Sequence, residues 1–247
     1  MRFTIFFSMY LEYWINRLED PFEMFALVGV LRSIGQIADD AFSSRSERAG
    51  WWGASPRYYS VEDEHDIEVV EHVIGSGFVL AQTSITQAVT LLKRMHEEAG
   101  YATWIPKDKA IVLKTAASIH IDTGLSKIAI INTAADYYKH RSEWKEEALV
   151  GPPYKNKTIA NAVEIGIGPK GYHNMESALR KLQIYDYDMS PLGRLIDWRE
   201  ALADHIRDEG KKHGVDIRPR YPEDPDIETE APAPPQSLLG DDDVPFP

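Results

Sequence analysis

The run HDIEVVEHVIGSGFVLAQTSITQAVTLLKRM, residues 65–95, decides the fold. Within it Ile67, Val70, Ile74, Phe78, Ala81, Ile85, Ala88, Leu92 and Met95 recur at steps of three and four without a miss. That is the period of one buried helix face and not of a strand. Ser60 and Asp63 form a capping box ahead of it and Gly100 a stop behind, so the spacing predicts one helix over about 62–98. At about 1.5 Å per residue such a helix is roughly 50 Å long, the spine of a helical bundle. Gly75 and Gly77 fall mid-helix, where each costs about 1 kcal/mol relative to Ala, which predicts a close neighbour or a kink. His65 and His72 flank Glu68 on this helix, but no HExxH spacing supports a metal, and a solvated charged face is the expectation.

N-terminal to the spine, residues 3–18 read as an aromatic-rich helix. Asp20-Pro21-Phe22-Glu23 then opens a second one, with Asp20 as N-cap and Pro21 at the first helical position. Its apolar set Phe22, Phe25, Val28, Leu31 and Ile34 predicts a helix to about Ala41. SSRSERAGWWGASPRYYS, residues 43–60, carries Gly, Ser and Pro punctuation without a period and reads as a long loop, of the kind that is often functional. Arg45, Arg48 and Arg57 interleave there with Trp51, Trp52, Tyr58 and Tyr59, a mix that stacks on bases and neutralises phosphates. The same residues also suit a compact loop whose tryptophans plug the body.

C-terminal to the spine, PKDKAIVLKTAASI (106–119) predicts a shorter helix. Asp122-Thr123-Gly124 then restarts the chain into a central stretch over 125–149 whose heart is IAIINTAADYYKHRSEW (128–144). On it Ile128, Ile131, Ala135 and Tyr138 share a face, bordered by a polar stripe of Asn132, Asp136, Lys139 and Glu143 with His140 at its edge. Each polar group beside a buried seam needs a partner, because an orphan costs about 1 to 3 kcal/mol. Lys139 with His140, Asp136 and Glu143 is a candidate site able to hold a phosphate and move a proton. The same residues also suit an internal salt-bridge ladder. Residues 158–165 and 174–184 read as two short helices, the second capped by Asn174. GIGPKG (166–171) between them lacks the lysine-serine ending of a phosphate loop and reads as a turn. Ser190-Pro191 caps a last helix to about His213, with Leu192, Leu195, Trp198, Leu202 and Ile206 inside.

Composition bounds the function. The 247 residues suffice for one sizeable domain without staples. The net charge is −12, but eight acidic residues between Glu223 and Asp243 have no Lys or Arg among them, leaving about −4 for the body. That balance neither demands nor forbids a polyanionic partner. With no cysteine, disulfides, zinc-thiolate sites and cysteine nucleophiles are excluded, and a reducing cytoplasm is the expected location. The apolar start MRFTIFFSMYLEYWI holds Glu12 and no small-residue cleavage site, so it reads as a helix rather than a signal peptide. No run approaches the ~20 apolar residues of a membrane span. Beyond Gly214 the chain turns to Pro, Asp and Glu, which predicts a helical domain over 1–215 and a disordered acidic tail over 216–247.

Two resemblances add expectations. The spine helix with the Asp-Tyr-Tyr-Lys-His-x-x-Glu-Trp segment resembles uncharacterised bacterial helical proteins related to the HEPN superfamily, over residues 60–210. Many HEPN proteins are ribonucleases of toxin or defence systems, marked by an Arg, four to six residues and a His near the start of the last long helix. Arg199 and His205 match that pattern with five residues between them. The resemblance implies a metal-independent ribonuclease of a bacterial defence or mobile-element system, or an inactive relative. The imidazole would move the 2′-hydroxyl proton and the guanidinium would hold the phosphate. Positions six apart do not share a helical face, so convergence needs a homodimer or a distorted helix.

The end GDDDVPFP, after the linker-like PAPPQSLLG, is similar to the acidic tip of bacterial single-stranded-DNA-binding proteins. That likeness implies docking of Asp241, Asp242, Asp243 and Phe246 onto a replication or repair protein, and the same residues also suit a solubilising acidic tail. Here Pro247 follows Phe246, whose carboxylate is therefore not free, and no OB pattern accompanies the tip.

The fold expected is all-α, about seven helices in a bundle. Two functional readings stand: the HEPN-like ribonuclease, and a non-enzymatic adaptor contacting RNA, single-stranded nucleic acid or a replication protein through the aromatic-basic loop and acidic tip. Neither calls for a cofactor or a metal.

Overall fold

The computed structural model describes residues 2–51, 61–118, 122–144, 149, 157–169 and 173–218. Among them are eight α-helices and no strand: α1 (Arg2–Leu18), α2 (Pro21–Trp51), α3 (Val61–Glu98), α4 (Lys109–Val112), α5 (Lys127–His140), α6 (Lys157–Glu164), α7 (Asn174–Lys181) and α8 (Leu195–Lys212). A 3₁₀ turn (Arg141–Glu143) extends α5, and another (Ser190–Arg194) leads into α8.

The spine is as the periodicity requires. Every member of its apolar stripe from Ile67 to Met95 is buried, and α3 packs against α1, α2, α5, α7 and α8. At 38 residues it is about 57 Å long. Both mid-helix glycines mark close approach. A Cβ on Gly75 would overlap the Tyr138 ring of α5, and one on Gly77 would meet the Met189 side chain. Gly75→Ala is therefore expected to lose about 1 to 2 kcal/mol, the overlap outweighing the gain in helix propensity. Thermal unfolding of Gly75→Ala, Tyr138→Ala and the double variant checks this. The double variant should recover most of the Gly75→Ala loss, and additive losses would exclude the overlap as its cause.

Four expectations change. α2 does not end near Ala41; it runs on to Trp51, so the first half of the expected loop is helix. Arg45, Glu47, Arg48 and Ala49 are good helix formers, and Pro56 is the first obligatory break. Residues 52–60, with Trp52, Arg57 and Tyr58, lie outside the described part.

The helix expected over 106–119 shrinks to one turn, capped by Asp108, which accepts from the Ala110 and Ile111 amides at 2.8 and 3.3 Å. Carbonyls that a continuing helix would use are taken elsewhere. Ser126 donates its hydroxyl to Leu113 O, and the Trp198 indole N–H reaches Thr115 O at 3.0 Å.

Asn174 is not the cap of α7 but its first residue, following His173 at φ 62°. Its amide holds Gly168 N–H at 2.8 Å and donates to Gly168 O at 3.1 Å and the Tyr137 hydroxyl at 2.8 Å. Ser190-Pro191 opens a 3₁₀ turn rather than α8 itself.

Ile217 packs against Gly210 and is buried, whereas residues 219–247, including the acidic tip, lie outside the described part. No described helix is long and apolar enough to cross a membrane.

Candidate functional site

Arg199 lies in the second turn of α8 and is 1% exposed. Each of its guanidinium nitrogens has a structural partner. Nε donates to Leu18 O at 2.7 Å, Nη2 to Arg17 O at 3.0 Å, and Nη1 to Ser84 Oγ and Gln87 Oε1 at 3.3 Å. The last carbonyls of a helix have no intrahelical donor, and at the end of α1 this guanidinium supplies one to Leu18 O and joins the Asp20 amide on Arg17 O. Arg207, two turns on, grips Glu19 between α1 and α2 through both terminal nitrogens, and Asp204 at 3.0 Å. α8 thus clamps the end of α1 with two arginines. His205 is half-buried on the same helix, makes no hydrogen bond among the described residues, and lies near Glu209. The structure does not bring Arg199 and His205 onto a shared partner.

The polar stripe of α5 closes on α3. Gln82 donates to Asp136 Oδ1 at 2.7 Å and Asn132 Oδ1 at 2.9 Å, and Asn132 donates to Asp136 Oδ2 at 2.9 Å. Lys139 stands 3.4 Å from Asp136 and His140 3.1 Å from Glu143, both at the exposed end. Sequence reasoning named Asn132, Asp136, Lys139, His140 and Glu143 and missed Gln82. Its signal was a polar side chain one position from Ala81 on the buried stripe. Next to this network Arg141 Nη2 lies 2.9 Å from His72 Nε2, and the Tyr138 hydroxyl 3.0 Å from His72 Nδ1. No group able to hold a metal occurs among the described residues.

A second polar centre went unnamed at the sequence level. Glu71 is buried on α3, and its two oxygens accept the Met175 amide at the start of α7, at 3.1 and 3.0 Å. Burial pushes this carboxyl up to about 7, against the lowering pull of the Met175 and Glu176 amides. Neighbouring Tyr137 is raised by burial as well. Glu176 goes the other way: burial opposes it, but the Tyr187 hydroxyl and His173 ring, each at 2.6 Å, together hold it below the ordinary carboxylate value. A carboxyl near 7 suits proton transfer. The space beside it is about 10 Å³, room for one water and no substrate. Its signal in the sequence was a charge on the apolar stripe, between Ile67 and Ile74.

A larger cavity, about 370 Å³, opens between the first turns of α5 and α8 and the chain leading out of α7. Of the aromatic-basic residues, Arg45, Arg48 and Trp51 lie on α2, three apart. Trp52, Arg57 and Tyr58, and Asp241, Asp242, Asp243 and Phe246 of the tip, fall outside the described residues. No protein-family model, no curated protein and no solved structure matches the chain.

Proposed function

We propose that the protein is a non-enzymatic helical adaptor. It contacts single-stranded nucleic acid through the aromatic-basic segment after α2's first half, and its acidic tip docks a replication or repair protein. The observation that carries this over the ribonuclease reading is the Arg199 guanidinium. With every nitrogen directed at α1 carbonyls or at Ser84 and Gln87, it is engaged in holding α8 to α1 and α3. The course of α2 supports the same reading. Arg45, Arg48 and Trp51 fall within α2 at steps of three and not along an irregular loop.

The test pairs cleavage with binding. Labelled RNA incubated with the full chain in EDTA should stay intact. Single-stranded RNA or DNA should bind with a salt dependence that Arg45→Glu/Arg48→Glu reduces by about 2 in the slope of log K against log salt. Metal-independent cleavage that disappears in His205→Ala alone would replace the adaptor by the HEPN-like enzyme. Loss in His140→Ala alone would move the chemistry to the end of α5.

A further inference from the structure

A cavity of about 370 Å³ opens between α5 and α8 beside the buried core. Its walls are apolar: Ile128 and Ile131 from α5, Leu192 from the 3₁₀ turn, Trp198 and Ala201 from α8, and Ile184 beyond α7. A volume of about 370 Å³ lies in the range of small-molecule sites, which are mostly apolar with a few placed polar groups. Trp198 presents only its ring, because its N–H is already held by Thr115 O. Two charged residues, Lys127 and Asp197, and the polar Ser118 are also in the lining.

These two charges are not equivalent. Lys127 is partly buried, stands at the first position of α5, and makes no side-chain hydrogen bond or ion pair among the described residues. Asp197 is exposed and is not within ion-pair distance of it. A partly desolvated ammonium beside an apolar wall gains more from an incoming anion than a solvated carboxylate gains from an incoming cation. The positive end of the α5 dipole adds to that preference. At the rim Ala116 holds φ 54°, a conformation that a residue with a Cβ rarely adopts unless its surroundings impose it.

We propose that this cleft binds a small apolar carboxylate, with the acid group on Lys127 and the hydrocarbon body against Ile131, Leu192 and Trp198. The site is separate from the aromatic-basic segment, and its occupancy does not depend on the adaptor reading.

Two probes share this chemistry and differ in body: decanoate, for an aliphatic ligand, and phenylbutyrate, for an aryl one. Calorimetric titration of the full chain, below the probes' aggregation concentration, should show one molecule of at least one of them bound per chain, and decanol and decylamine bound at least tenfold more weakly. Lys127→Gln should erase the preference for decanoate over decanol. Ala201→Phe, at a half-exposed position facing the cavity, should abolish binding of every probe, with helicity checked by circular dichroism. Failure of both carboxylates to bind, equal binding of decanol, or unchanged binding in Lys127→Gln would each overturn the assignment. Should Ala201→Phe not fold, Lys127→Gln alone decides.

Discussion

Replacing Arg199 by leucine is expected to lower stability by about 3 to 5 kcal/mol, read as a fall in the urea midpoint with unchanged slope. The substitution removes a buried donor from the Leu18 carbonyl, one of two donors from the Arg17 carbonyl, and a partner from each of the Ser84 and Gln87 side chains. Each buried acceptor left unpaired costs about 1 to 3 kcal/mol, and the leucine recovers only part of this by eliminating a buried charge. Arg199→Lys should lose most of the same stability, because one ammonium cannot serve acceptors spread around a planar fork. His205→Ala, at a half-buried position with no hydrogen bond among the described residues, should cost about 1 kcal/mol or less. A catalytic arginine behaves differently: its removal leaves stability unchanged or improves it, while activity falls. Near-equal stability of wild type and Arg199→Leu would rule out the clamp and reopen the catalytic reading.

The second large effect is a pH dependence centred on Glu71. Its folded value of about 7 lies above the ordinary 4.5 because burial disfavours the carboxylate. The folded chain therefore binds the proton more tightly than the unfolded chain does. The stability from this group is fully present below about 4.5 and is lost as pH rises through about 7, a total of about 3 kcal/mol. Glu71→Gln keeps an oxygen for the Met175 amide and cannot ionise. It should match wild type near pH 5 and exceed it by about 2 to 3 kcal/mol near pH 8. Asp66, His173, Glu176, Tyr137 and Tyr187 also face this region and are the same in both proteins. Urea unfolding of both proteins at the two pH values cancels most of their share. Parallel stability curves would show that Glu71 ionises normally in the fold.

Where an element is governed by its own period, the sequence discloses it. The α3 stripe and its ends follow from residues 60–100 alone, and the apolar faces of α5 and α8 from their own segments. Gly75 and Gly77 call for a close neighbour or a kink, and only the fold identifies Tyr138 and Met189 as the neighbours. Errors arise where a distant group takes over a local role. Asn174 has the right chemistry for a cap, but Glu71, 104 residues away from Met175, supplies it instead. Thr115 and Leu113 sit in a helical composition, yet Trp198 and Ser126 draw off their carbonyls. In the last helix the Arg199 and His205 spacing is visible, whereas the fate of the guanidinium depends on where α1 ends in space. The polar stripe was legible as a set, and its closure by Gln82 was not, since only packing of α3 on α5 sets which polar groups meet.

The arginine clamp also bears on how the chain is made. Arg199 Nε and the Leu18 carbonyl it caps are separated by 181 residues. At synthesis rates of about 5 to 20 residues per second, α1 waits roughly 10 to 35 seconds for that partner to emerge. During this interval Leu11, Ile15 and Leu18, fully covered in the finished protein, lack the C-terminal part of their shelter. α1, made well before α8, is thus locked late. A chain stopped before α8 would carry an aromatic-rich, apolar helix with its end unfastened, a natural target for chaperones and proteases that survey incomplete products.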